Sequence, residues 1–109
     1  DNVPLMDVPF IECIRLARAH GGVTSWAHPP LSAAKELLPV FADAGLQGIE
    51  ALRPMMSSAD ARKLKKLARR HRLFLTGGSD WHGWGPQQLG LFTVRRPEIR
   101  PFLAALEAA

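Results

Sequence analysis

Leu73-Phe74-Leu75-Thr76 runs directly into Gly77-Gly78-Ser79-Asp80-Trp81-His82-Gly83. A short apolar run closed by glycines reads as a buried strand followed by the loop at its carboxyl end. Asp80 and His82 stand two apart in extended chain, so both side chains point into one mouth, where the glycines let a ligand come close. Carboxylate plus imidazole is a common ligand pair for Mn, Fe or Zn. The arrangement recurs upstream, where the strand-like Gly22-Val23-Thr24-Ser25-Trp26 leads into Ala27-His28-Pro29-Pro30. Two polar loops, each just past a strand, read as half of a metal site.

Outward from these strands, helix and strand alternate. Asp7 is placed to cap a helix from about Val8 to His20, with Pro9 in its first turn. Phe10, Cys13, Ile14 and Ala17 recur at i, i+3, i+4, i+7 and predict one buried stripe. Gly21-Gly22 ends that helix, a strand follows from about Val23 to Ala27, and Pro29-Pro30 stop it. Ser32 opens a second helix through Ala44, and Pro39 inside it predicts a kink or a restart. The next strand is Gln47 to Leu52, stopped by Pro54. Ser57 with Asp60 makes an approximate capping box for a helix through about Arg70, with Leu64, Leu67 and Ala68 as its buried stripe. Leu89 to Val94 reads as a further strand, and a short helix with Pro97 or Pro101 in its first turn closes at Ala108.

Strands alternating with helices of ~10–15 residues predict βαβ units around a parallel sheet, an α/β fold. Ligands in such sheets bind at the carboxyl ends of the strands. His28 follows one strand, Glu50 lies near the end of the next, and Asp80 and His82 follow the third. Three strands thus deliver polar side chains to one rim.

Composition sets the bounds. The chain has 109 residues, one domain at most, with 47% hydrophobic and 22% charged residues, ordinary proportions for a globular protein. It starts at Asp1, so the natural start of the gene product reads as missing, and no basic and apolar leader is visible. No run approaches the ~20 apolar residues of a membrane-spanning helix. Cys13 is the only cysteine, which excludes an internal disulfide and fits a reducing, cytoplasmic setting.

Ala27-His28-Pro29, Gly48-Ile49-Glu50 and Thr76-Gly77-Gly78-Ser79-Asp80-Trp81-His82-Gly83 resemble, in this order, the closing motifs of the PHP family, named for polymerase and histidinol phosphatase domains. The resemblance spans roughly Pro9 to Gly90. Its last motif is most like the branch that hydrolyses nucleoside bisphosphates and short oligoribonucleotides. The resemblance implies a distorted (β/α) barrel that hydrolyses phosphate esters with metal-activated water, using up to three divalent ions (Mn, Zn or Fe). It makes His28, Asp80 and His82 metal ligands and catalytic residues, each serving a different ion. Glu50 matches a position behind them, where it orients an imidazole or else is simply a solvated strand end. Arg53 is placed to clamp a substrate phosphate through its planar fork, and Trp84, like Trp81, to stack a base.

The family's opening His-x-His pair and its neighbouring ligands have no counterpart here, and a full barrel needs roughly 200–250 residues. Residues 1–109 therefore read as the C-terminal portion of such a barrel, with the N-terminal half absent. An open half-barrel exposes apolar edges and invites self-association. Alone it is expected to bind metal weakly and to have little or no activity. The expected partners are the missing half and a phosphorylated small molecule or short oligonucleotide, with no membrane.

Other readings compete. Arg62, Lys63, Lys65, Lys66, Arg69, Arg70 and Arg72 are seven of the chain's 14 Lys and Arg, and they bring the formal charge to +4. They suit the solvated face of an outer helix. They also suit a phosphate-binding stripe, so a non-catalytic PHP-like module binding nucleic acid or a protein partner stands as the alternative. Ser79 lacks the G-x-S-x-G frame of a nucleophile, and Gly77-Gly78, without a P-loop lysine, reads as backbone clearance near the metals. His20 and His71 sit at helix C-termini, where the macrodipole favours them. Trp26 is expected to pack between sheet and helices.

Overall fold

The computed structural model describes residues 9–83 and 89–109. In chain order its elements are α1 (Phe10–Ala19), β1 (Ser25–Trp26), α2 (Leu31–Ala44), β2 (Gly48–Leu52), α3 (Ser58–Arg70), β3 (Phe74–Gly77), a 3₁₀ turn (Arg96–Ile99) and α4 (Arg100–Ala108). The three strands pair in parallel in the order β1-β2-β3. The α/β class and parallel sheet expected from the alternation are therefore present.

The sheet has two unlike faces. Trp26, Ile49 and Leu75 lie in one register row across the strands. Together with Ala51 they face α2 and α3, whose Ala34, Leu38, Phe41, Leu64 and Ala68 complete the core. Leu38, Ile49 and Leu64 are the largest fully buried side chains. Because successive strand residues alternate sides, Ser25, Gly48, Glu50, Phe74 and Thr76 face the other way. On that second face the Phe74 ring lies over Gly48, where a Cβ would come within 2.0 Å of its Cε1. Only glycine leaves that space. Phe102 of α4 then meets Phe74 at 5.3 Å between ring centroids. Ser25 Oγ and Thr76 Oγ1 lie 2.8 Å apart, a hydroxyl brace between the outer strands that spans β2.

Each helix shows why it forms and what it covers. Ser57 Oγ accepts the Asp60 N–H at 3.1 Å, so the hydroxyl half of the expected capping box is in place on α3. Leu64 and Ala68 of α3 are buried, whereas Arg62, Lys63, Lys66, Arg69, Arg70 and Arg72 are exposed. Trp26 packs edge-on against Phe41 at 5.1 Å, between sheet and helix as expected. At the start of the 3₁₀ turn, Glu98 accepts the backbone N–H of Arg95 at 2.9 Å and its Nε–H at 3.2 Å. These hydrogen bonds hold the Glu98 carboxyl below its ordinary pKa.

Several expectations need correction. The α1 stripe is not one buried row: Ile14 is buried and Ala17 half-buried, but Phe10 is 61% exposed and Cys13 is exposed. The helix lies at the β1 edge of the sheet and packs on α2, leaving a groove of about 410 Å³ along its stripe. Pro9 precedes the first helical residue, and Asp7 lies outside the described residues. β1 is two residues long rather than five. α2 starts at Leu31 and runs through Pro39 without a restart; Pro39 lies on the exposed side of the helix. The strand expected at Leu89 to Val94 does not form. Gly90, at φ 91°, breaks the extended backbone. Leu89 and Leu91, 69% and 74% exposed, find no layer to cover them.

Among the described residues, no helix is long and apolar enough to cross a membrane.

Candidate metal centre

His28 lies two residues beyond β1 and Asp80 three beyond β3. Both adopt left-handed backbone, at φ 52° and φ 57°. Non-glycine residues rarely do so, at a cost of about 1–3 kcal/mol each, and such strain gathers where the surrounding fold fixes a side chain for a purpose. Here the two strained residues meet. His28 Nε2 lies 3.0 Å from Asp80 Oδ1, and His82 Nε2 lies 3.9 Å from the same oxygen. Both imidazoles therefore gather about one carboxylate, from loops after two different strands. The His82 ring is further tied to its own loop through a contact between Nδ1 and the Asp80 carbonyl.

Glu50 lies behind this group, at the centre of the sheet. Its Oε1 accepts the His28 backbone N–H at 3.4 Å and lies 3.7 Å from His28 Nδ1. Arg53 Nε stands 3.5 Å from the same oxygen. Glu50 is a wedge between the histidine loop and the arginine rather than a solvated strand end, with its side chain only 19% exposed. A carboxylate so placed helps to fix the orientation of the ring.

The sequence-derived residues divide clearly. His28, Glu50, Asp80, His82 and Arg53 come together at the carboxyl rim, while Trp84 lies outside the described residues. Trp81 is there too, 44% exposed. Ser79 Oγ accepts the Trp81 N–H at 3.3 Å and is occupied in shaping the loop. The clearance role expected for Gly77 needs amending. A Cβ there would lie 2.5 Å from the Leu52 carbonyl oxygen and 2.6 Å from Val94, so the space serves packing between neighbouring segments. A Cβ added at Gly78 would meet nothing within 4 Å, so packing does not require glycine there.

Two clefts flank the rim, and most of their walls come from residues outside the three motifs. One, about 170 Å³, is lined by Arg53, Pro54, Met55, Ser79 and Asp80. The other, about 270 Å³, is formed by Pro29, Pro30, Leu31, Met56 and Leu64, and shares Arg53, Pro54 and Met55 with the first. The Pro-Met-Met that follows Arg53 is the available sequence signal: an apolar loop directly after a strand that carries a site carboxylate.

The donor set bears on whether a cation fits. Two donors bound to one ion at 2.0–2.2 Å and at right angles stand about 3 Å apart, which is the separation of His28 Nε2 and Asp80 Oδ1. Neutral imidazole and carboxylate suit a divalent transition ion. Among the described residues, however, no three His, Cys, Asp or Glu side chains are grouped closely enough to hold an ion. The rim is a partial ligand set.

No family model matches the chain. It is similar to a phosphoribosyl 1,2-cyclic phosphate 1,2-diphosphodiesterase of Eggerthella lenta, with 38% identity over 80 residues, 71% of this chain and 30% of that protein. Its fold is similar to the crystal structure described as a metal-dependent phosphoesterase from Bifidobacterium adolescentis, with a TM-score of 0.75 and 29% identity, covering 94% of this chain and 38% of that one. The sequence is thus similar to a protein named as a diphosphodiesterase, and the fold to one named as a metal-dependent phosphoesterase. The chain spans about a third of the length of either relative.

Proposed function

We propose that the protein carrying this chain hydrolyses phosphate esters of nucleotides or short oligonucleotides with divalent metal ions, and that residues 1–109 are the C-terminal portion of its (β/α) barrel. The contact between His28 and Asp80 across the central strand is the observation that carries this reading. The fold does not require it, and it leaves two strained ligand-type residues with a common purpose. The names of the two relatives support ester hydrolysis and metal use.

In this reading His28, Asp80 and His82 are ligands and Glu50 orients His28. A bound Mn, Zn or Fe supplies Lewis acidity and a water of lowered pKa. Asp80 brings negative charge that favours cation binding, and His28 and His82 bring neutral nitrogens. Arg53, held by Glu50 on one side, offers its remaining guanidinium N–H groups to a phosphoryl oxygen in the 170 Å³ cleft beside Asp80. The remaining ligands are supplied by the length that the relatives have and this chain does not, so the 109-residue chain alone is inactive. A free, exposed Cys13 suits a cytoplasmic setting.

The test compares the full gene product with its Asp80→Ala plus His82→Ala variant. Elemental analysis should show less bound metal in the variant, and phosphate release from adenosine 3′,5′-bisphosphate should fall below detection. Unchanged metal content would remove the basis of the reading.

A further inference from the structure

The two clefts at the rim share one wall. Arg53, Pro54 and Met55 line both the small cleft beside Asp80 and the larger one beside Pro29. We infer that the larger cleft seats the organic part of the substrate as a flat heterocyclic ring, and that Met55 and Met56 set the preference for it. The inference rests on reading the rim as a phosphoester site.

Four observations carry it. The first is position: the small cleft beside Asp80 and the 270 Å³ cleft meet at Arg53, Pro54 and Met55, so a phosphoryl group in the one has the other within reach of its ester substituent. The second is chemistry. Pro29, Pro30, Leu31, Met56 and Leu64 are apolar, and Arg53 and Asp60 supply the polar side chains. A sugar's several hydroxyls would find few partners there, whereas a ring face packs well on proline and thioether, and its edge N–H meets the Asp60 carboxylate. Rigidity is the third: Leu64 is 1% exposed and Pro29 is buried, so the floor belongs to the core. Met55 is the fourth. It is 95% exposed with φ 66°, a large apolar side chain held out on left-handed backbone at the rim of both clefts. A thioether is flexible and polarizable and makes favourable contacts with aromatic rings.

The experiment uses the full gene product, loaded with diamagnetic Zn and labelled with ¹³C at methionine methyls, with the signals of Met55 and Met56 assigned by substitution. Titration with adenosine 5′-monophosphate should shift both methyl signals through the ring current. Glycerol phosphate and inorganic phosphate should leave them in place. If all three ligands shift them alike, or if the nucleotide does not shift them, the inference is overturned. Shifts with the nucleotide in a protein that releases no phosphate would uphold the cleft and defeat the hydrolytic reading. In a second arm, Met55→Gly suits the left-handed backbone and keeps the fold. It should lower the ratio of kcat/KM for the nucleotide over glycerol phosphate by about 2- to 10-fold, the range of a thioether–ring contact. An unchanged ratio overturns the assignment of Met55.

Discussion

The two faces of β2 are built from neighbouring residues and do different work. Ile49 and Ala51 point into the helices and are 0% and 1% exposed. Gly48 and Glu50 point the other way, toward the hydroxyl brace and the histidine rim. One face buries apolar area, worth about 25 cal/mol per Å². The other keeps strained and charged groups that burial alone does not favour. Helix packing and rim chemistry are thus separated by a single step along the strand, and substitutions at the helix-facing core and at Glu50 should report on different properties.

The largest effect belongs to the covered face. Leu64→Ala should cost about 2–5 kcal/mol, read from the urea midpoint of the chain. In the full gene product it should leave metal content per folded molecule unchanged, and a loss of metal would break the separation of the faces. On the rim, Glu50→Gln should weaken metal binding by about 10- to 100-fold, as removal of an orienting carboxylate does, while the urea midpoint moves little. Isothermal titration of the full gene product with Mn measures the first quantity. A large stability loss with intact metal affinity would make Glu50 a packing residue.

Smaller effects sharpen the comparison. Thr76→Val removes the brace to Ser25 and should cost about 0.5–1.5 kcal/mol, with Thr76→Ser restoring it in the same denaturation assay. Glu98, in the 3₁₀ turn, serves as a control outside the histidine rim. Its pKa is lowered in the fold by the Arg95 N–H groups, so its stabilisation is present above the ordinary carboxylate pKa and is lost as pH falls through the folded value. The midpoint difference between the chain and Glu98→Gln should shrink below about pH 4. A difference that instead grows on acidification would reverse the assigned direction.

Much of this was legible beforehand, and the misses have a common cause. α3 carries all of its own signals: Ser57 for the cap, Leu64 and Ala68 for the stripe, and basic residues for solvent. It lies over β2 and β3, which give the stripe something to cover. α1 has equally good periodicity, yet Phe10 remains open because the helix sits beyond the last strand of this sheet. Periodicity states which face seeks cover and is silent on whether cover is present. Leu89 to Val94 failed similarly: alternating apolar residues suit a strand only if a neighbour offers a ladder. At the rim, His28, Asp80 and His82 were found because ligand types after strands are few and conspicuous. Met55 was not, since an exposed methionine carries no signal until the loop is folded beside Asp80.

From its own order of residues the chain determined an alternating α/β fold, three parallel strands, and acid and imidazole groups at their carboxyl ends, because strand ends and glycine-rich loops are local features. Tertiary structure alone decided that Nε2 of His28 reaches Asp80, that Glu50 is held between His28 and Arg53, and that Phe74 lies over Gly48. Apart from Glu50–Arg53, three positions apart, those contacts join residues 22 to 52 positions apart. Only the pairing register and curvature of the sheet bring such distant groups within bonding distance.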